Sequence, residues 1–248
     1  MEGIVFDPTN SNIMYVCGSA GGLWKTTNGG DNWKPIADKL GRVDGYAVAV
    51  DPSDPDIVYF GTGPGTIRTW APDVPLYKSI DGGRTWHLFA AGLGEGTRKI
   101  KVCYDSSNNV VVYLATNDGL HRYTNSDPRT TTSTSSDWTR IHTGVIQDLV
   151  LHPTDSKKVY ISVAEWKRLN NRDVFVHEGI YRTDKGYTAT GDNDWTSISS
   201  NLPDLSNTPG SSGTIDLYQK TPTTIYASLR TPGGFKVAKV SIYKSLYL

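Results

Sequence analysis

Apolar residues recur along this chain in short runs, and five of these centre on a tyrosine or lie beside one. Ile13-Met14-Tyr15-Val16, Ile57-Val58-Tyr59-Phe60, Val111-Val112-Tyr113-Leu114, Val159-Tyr160-Ile161 and Thr224-Ile225-Tyr226-Ala227 are equivalent runs in five successive units. β-Branched and aromatic residues bounded by turn residues predict strands. In four units a shorter apolar run precedes: Ile4-Val5-Phe6, Val48-Ala49-Val50, Ile100-Lys101-Val102 and Leu149-Val150-Leu151. Each is closed by a turn opening at or near Asp7, Asp51, Asp105 or His152, and Ile215-Asp216-Leu217 before Thr221-Pro222 is a looser fifth copy. Proline fixes φ, and Asp or Asn bonds its own backbone, which is turn chemistry. A third run ends in an aromatic or His followed by a cation: Trp24-Lys25, Tyr77-Lys78, His121-Arg122, Tyr181-Arg182 and Tyr243-Lys244. A fourth begins at Trp33, Trp86, Trp138 or Trp195, at steps of 53, 52 and 57 residues. No segment sustains a 3.6-residue period, so few helices are expected. The pattern predicts a repeated four-stranded antiparallel unit.

Between the third and fourth runs lies a second repeat. Thr26-Thr27-Asn28-Gly29-Gly30-Asp31-Asn32-Trp33 is nearly copied in Ser79-Ile80-Asp81-Gly82-Gly83-Arg84-Thr85-Trp86. This motif resembles the Asp-box, or BNR repeat, of sialidases, sortilin-type receptors and xyloglucan-cleaving endoglucanases of glycoside hydrolase family 74. The resemblance implies an all-β propeller of four-stranded antiparallel blades, with bacterial sortilin-like or glycosidase-like BNR proteins the most similar. A repeat of about 50 residues is also the length of one such blade. The blades are expected near residues 3–42, 43–96, 97–145, 146–205 and 212–248, the last incomplete. Part of a larger propeller is the first expectation, with other blades or domains in a longer chain. A five-bladed ring with an incomplete last blade is the second.

The box residues Thr26, Asn28, Gly30, Trp33, Ser79, Asp81, Gly83, Thr85 and Trp86 are expected to be structural. The Asp or Asn accepts backbone N–H groups, the glycines allow positive φ, and the tryptophan packs between sheets. In the third unit the box is eroded to Thr124-Asn125-Ser126-Asp127, followed by a polar tract from Thr130 to Ser136. The fourth keeps Thr183-Asp184-Lys185-Gly186 and inserts residues before Asp194-Trp195. Both inserts are expected to be mobile surface loops.

Charge and composition narrow the function. With 25 basic and 25 acidic residues the formal charge is zero, so nothing points to nucleic acid, whose binding rests on clustered Lys and Arg. No apolar stretch reaches the roughly 20 residues of a membrane-spanning helix, and Met1-Glu2 opens no basic-then-apolar leader. An extracellular or cell-surface location is implied by the family resemblance alone. Cys17 and Cys103 lie in strand-like runs and read as small buried side chains rather than a disulfide pair. The five histidines show no metal-ligand spacing, and no cofactor or metal is expected.

Loops joining strands two and three share a blade end with the blade-to-blade links. Two stand out by length, 61–73 and 164–173. The first carries Arg68, Trp70 and Asp73, and the second Glu165, Trp166, Arg168 and Arg172. Aromatic faces flanked by polar groups suit sugars or peptide side chains, so these seven are the candidate ligand-binding residues. Catalytic candidates are scarce. The arginine motif Arg-Ile-Pro, which a sialidase would be expected to carry, is absent. In family 74 the first blade carries a general-base Asp, and the matching position here is Ser19 in Cys17-Gly18-Ser19-Ala20-Gly21-Gly22-Leu23-Trp24. Inverting hydrolysis needs two flanking carboxyls, and serine cannot supply one. The leading expectation is a non-catalytic glycan- or protein-binding propeller. The alternative is a segment of a polysaccharide hydrolase whose catalytic acids lie outside it.

Overall fold

The computed structural model describes residues 3–18, 21–41, 44–63, 75–169, 172–199, 215–222, 224–231 and 234–241. Five consecutive antiparallel sheets follow one another along the chain. Sheet one holds β1 (Gly3–Phe6), β2 (Met14–Gly18), β3 (Gly22–Thr26) and β4 (Lys34–Pro35). Sheet two holds β5 (Gly45–Val50), β6 (Val58–Thr62), β7 (Leu76–Ser79) and β8 (His87–Ala90). Sheet three holds β9 (Thr97–Tyr104), β10 (Val110–Thr116), β11 (Gly119–Asn125) and β12 (Trp138–Thr143). Sheet four holds β13 (Val145–Leu151), β14 (Val159–Leu169), β15 (Arg172–Thr183) and β16 (Thr196–Ser197). The fifth has β17 (Ile215–Thr221), β18 (Thr224–Thr231) and β19 (Gly234–Ser241). Each sheet pairs its strands in chain order, the up-and-down arrangement of a blade. The only helical pieces among the described residues are three 3-10 turns of three residues each.

The chain forms two compact units, Met1–Ile141 and His142–Leu248. In the first, sheets stack through two apolar clusters. Tyr15, Cys17 and Leu23 of sheet one meet Val48, Val58 and Phe60 of sheet two. Tyr59 and Phe89 of sheet two meet Val112, Tyr123 and Trp138 of sheet three. In the second unit Tyr160 and Ile180 pack with Leu217, Ile225 and Ala227. Tyr15, Tyr59, Tyr113 and Tyr160 are therefore core residues, whereas in the fifth sheet Ile225 and Ala227 are buried and Tyr226 is half-buried. Cys17 and Cys103 are free thiols, the first buried and the second half-buried.

The turns form for reasons visible in their residues. Asp7 Oδ1 accepts the N–H groups of Thr9 and Asn10. Asp51 Oδ1 does the same for Ser53 and Asp54, and Asp105 Oδ1 for Ser107 and Asn109. In the second box Ser79 Oγ accepts Gly83 N–H at 2.8 Å and donates to Asp81 Oδ1 at 2.8 Å. Asp81 Oδ1 takes the N–H groups of Arg84 and Thr85 at 3.0 and 2.9 Å. Thr26 and Asn28 repeat this wiring toward Gly30 and Asn32. Gly83 sits at φ +89°, a backbone conformation that favours glycine.

Burial pushes the Asp81 carboxyl up, but hydrogen bonds from Thr85, Ser79 and Arg84 outweigh it and bring it down to about 2. A carboxyl held below its unfolded value of 3.8 adds stability above that pH and loses it as pH falls toward 2. Urea denaturation of wild type and Asp81→Asn should therefore differ at pH 6 and converge by about pH 2. A pH-independent difference would show that the charge plays no part.

Successive sheets of the first unit are latched by the Lys that follows the aromatic. Lys25 Nζ donates to Gly82 O at 2.8 Å and lies 5.1 Å from the Tyr15 ring centre. Lys78 Nζ donates to Pro128 O and Thr130 O at 2.6 and 2.7 Å, between the Tyr59 and Phe89 rings. Here the structure corrects the sequence reading. The tract from Thr130 to Ser136, expected to be a mobile surface loop, is fastened to sheet two together with the two residues before it. Besides Lys78, Ser133 donates N–H and Oγ to Phe89 O, both at 2.8 Å, and Arg129 pairs with Asp54 at 2.8 Å. The insert replaces the eroded box as the acceptor for the latch. In the second unit, Asp192 in the other insert accepts Thr143 N–H and Oγ at 2.8 and 2.9 Å, so that insert is fastened too.

Candidate functional site

The two long connections expected to bear a ligand fare differently. Arg68, Trp70 and Asp73 fall in 64–74, outside the described residues. Of the stretch 164–173, residues 164–169 and 172–173 are strand. β14 and β15 run on as a hairpin of 11 and 12 residues, with Asn170 and Asn171 outside the described residues. In its register Glu165 stands opposite Val176, Trp166 opposite Phe175, Arg168 opposite Asp173 and Leu169 opposite Arg172. A register shift at Val163/Ala164 precedes these pairs. The sequence held this signal, since two asparagines between runs rich in Val, Phe and Trp mark a tight hairpin. Glu165, Trp166, Arg168 and Arg172 therefore sit on paired strands rather than in a loop.

In sheet three the same topological turn carries a polar cluster absent from the seven candidates. Thr116 Oγ donates to Asp118 Oδ1 at 2.6 Å, and His121 Nε2 lies 3.4 Å from the same oxygen. Asn117 N–H donates to Glu95 O at 2.8 Å, and Arg98 Nε to Asn117 Oδ1 at 2.6 Å. The link between sheets two and three leaves room for the carboxylate at Gly94, where a Cβ would lie 2.0 Å from Asp118 Oδ1. Burial pushes the Asp118 carboxyl up, while hydrogen bonds from His121 and Thr116 more than offset this and hold it below its ordinary value. It is an anion at neutral pH, able to accept a hydrogen bond and poorly matched to a base working near neutrality. Thr-x-Asp-Gly after a strand was the available signal for it.

The inner strands β1, β5 and β9 bound a cavity of about 570 Å³. Ile4, Phe6, Tyr46, Val50, Lys99 and Lys101 line it, and among the described residues that line it none is a carboxylate. Among the described residues no group of three or more His, Cys, Asp or Glu is placed to hold a metal ion. None of their helices is long and apolar enough to cross a membrane.

Comparison with known proteins agrees with the fold. The chain is 30% identical over 139 residues to the xyloglucanase Xgh74A of Acetivibrio thermocellus, covering 50% of this chain and 16% of that protein. It is 28% identical over 155 residues to a xyloglucanase of Hypocrea jecorina, covering 56% of this chain and 18% of the relative. Among solved structures, that of an ancestral GH74 enzyme matches 98% of this chain and 31% of its own, with a TM-score of 0.65 at 17% identity. No protein-family model matches. The chain spans about one sixth of the length of these curated relatives. Its fold is an all-β propeller of the BNR type, similar to the propellers of GH74 xyloglucanases over about half to most of its length.

Proposed function

We infer that the chain is a propeller segment of a xyloglucanase-like glycoside hydrolase, supplying polysaccharide-binding surface while the catalytic acids lie outside it. The observation that carries this reading is the 30% identity to a xyloglucanase across half the chain. The chemistry of the candidate site supports the division of labour. Inverting hydrolysis needs an acid and a base about 6.5–9.5 Å apart, and Ser19 stands where the resemblance puts the base. Asp118 holds the matching turn of sheet three as a hydrogen-bonded anion. A glucan would be gripped at the strand-two/three ends, with Trp70 and Trp166 as stacking platforms. Action outside the cell belongs to the same proposal.

A non-catalytic module that binds a glycan or protein is the second reading, favoured by Ser19. Affinity electrophoresis through gels containing xyloglucan, mixed-linkage glucan or no polysaccharide tests the first. The chain should be retarded by xyloglucan, and Trp70→Ala/Trp166→Ala should weaken that retardation at least about tenfold, as expected when two stacking aromatics are lost. Unretarded migration of the folded wild type in every gel would refute glucan binding and leave a protein ligand.

A further inference from the structure

The turn between β10 and β11 consists of Asn117 and Asp118, and each is bonded to protein through one of its two side-chain polar atoms. Every residue involved belongs to the first unit. Asp118 Oδ1 accepts Thr116 Oγ at 2.6 Å and lies 3.4 Å from His121 Nε2. Asp118 Oδ2 has no hydrogen-bond partner among the described residues, and the side chain is 43% exposed. Asn117 is held twice by the link between sheets two and three. Its N–H donates to Glu95 O at 2.8 Å, and its Oδ1 accepts Arg98 Nε at 2.6 Å. A guanidinium carries donors only, so this bond settles which end of the amide meets the link. The other end, Nδ2 with two donor hydrogens, has no hydrogen-bond partner among the described residues.

One acceptor and one donor therefore stand on adjacent residues of a turn that the protein has already fixed. Gly94 approaches the carboxylate so closely that a Cβ there would lie 2.0 Å from Asp118 Oδ1. Ordering these groups is part of folding, so a ligand that pairs with them has little of that cost left to meet. A pair of hydroxyls matches the arrangement. Each hydroxyl can donate and accept, so one donates to Asp118 Oδ2 while its neighbour accepts from Asn117 Nδ2. A bond to a charged acceptor is the stronger kind. A uronate or phosphate group would bring a like charge to the carboxylate and be repelled.

We infer that Asn117 and Asp118 form a subsite for neighbouring hydroxyls of a neutral sugar, with Thr116, His121 and Arg98 as positioning residues. The choice of a sugar rests on the glucan reading above. The subsite adds a point of contact that needs neither Trp70 nor Trp166. Burial raises the Asp118 carboxyl, but the bonds from His121 and Thr116 hold it below its ordinary value, so it remains an acceptor throughout the neutral range.

Two isosteric exchanges test the subsite, because each keeps the internal bond and reverses the outward group. Asp118→Asn still offers an oxygen to Thr116, and Asn117→Asp still accepts from Arg98. In gels containing xyloglucan, Asp118→Asn should weaken retardation about tenfold, the loss of a bond to a charged group. Asn117→Asp should weaken it at least about threefold, the loss of a neutral one. The double exchange again presents one donor and one acceptor at unchanged net charge. It should recover part of the loss, whereas structural damage at two sites would accumulate. Cellotetraose should compete with the gel and tetragalacturonate should not. A retarded wild type that both single variants match overturns the inference and leaves the glucan reading standing. Equal competition by tetragalacturonate overturns it as well. A folded wild type that no neutral polysaccharide retards removes the inference and the glucan reading together. A second measurement needs no variant to fold: in the wild type, the amide resonances of residues 116–119 should shift when cellotetraose is added. Resonances that stay fixed in a chain that xyloglucan retards overturn the inference.

Discussion

Phe89→Ala is expected to lower the stability of the first unit by about 3–5 kcal/mol. Phe89 is fully buried on β8 and joins sheets two and three. Its ring meets Tyr59 at 5.8 Å, Tyr123 at 5.2 Å and Trp138 at 6.1 Å between centroids, each edge to face. Lys78 Nζ lies 4.8 Å from its centre. Truncation opens a cavity walled by three rigid rings, which cannot collapse into it without leaving their own contacts. With two compact units, the loss is best read from hydrogen exchange at the amides of β8–β11, since a whole-chain signal need not be two-state. A loss below about 1 kcal/mol would show that the cluster repacks and is not a rigid joint.

Lys78 gives the second large effect, and it separates packing from hydrogen bonding. Lys78→Ala removes the buried stem and leaves the carbonyls of Pro128 and Thr130 without their donor, at a combined cost of about 3 kcal/mol. Lys78→Met restores the stem alone, so it should recover roughly half of that loss. The same residue has a pH signature. Burial pushes the ammonium down to about 8, with Asp51 and Asp127 pulling the other way. The unfolded chain holds that proton to about 10.5, so between these values the unfolded state binds more protons and wild type gains stability as pH rises. Lys78→Met lacks this gain. Two denaturation series, at pH 7 and pH 9.5, would show the wild-type advantage widening. An unchanged advantage would mean that the carbonyl bonds and ring faces hold the proton above pH 9.5 in the folded chain too.

Much of the fold was legible because the repeat states each strand several times over. The tyrosines at 15, 59, 113, 160 and 226 mark the second strands, and all lie within β2, β6, β10, β14 and β18. The Asx turns at Asp7, Asp51 and Asp105 follow from local chemistry alone. Long-range contacts were not legible. Nothing in a run of threonines and serines says that Ser133 will bond Phe89 O, 44 residues away, or that Arg129 will reach Asp54, 75 residues away. Such bonds depend on how two sheets stack, which no local pattern encodes. The hairpin at 159–183 was missed for another reason. Its strand periodicity continues past the expected blade edge, and residues 164–169 pair with 172–177 where the length of the connection suggests a loop. Asp118 was missed because its site is made by Gly94, on a link 24 residues upstream, together with its own turn.

Product analysis is the most direct test of the central claim. The purified chain is incubated with xyloglucan at micromolar concentration, and both bound polysaccharide and released oligosaccharides are quantified. The account predicts retention of intact xyloglucan with no new reducing ends. Cleavage by this chain alone would contradict it by placing a working acid–base pair within these residues. A folded chain that neither retains nor cleaves xyloglucan would contradict the glucan-binding role itself.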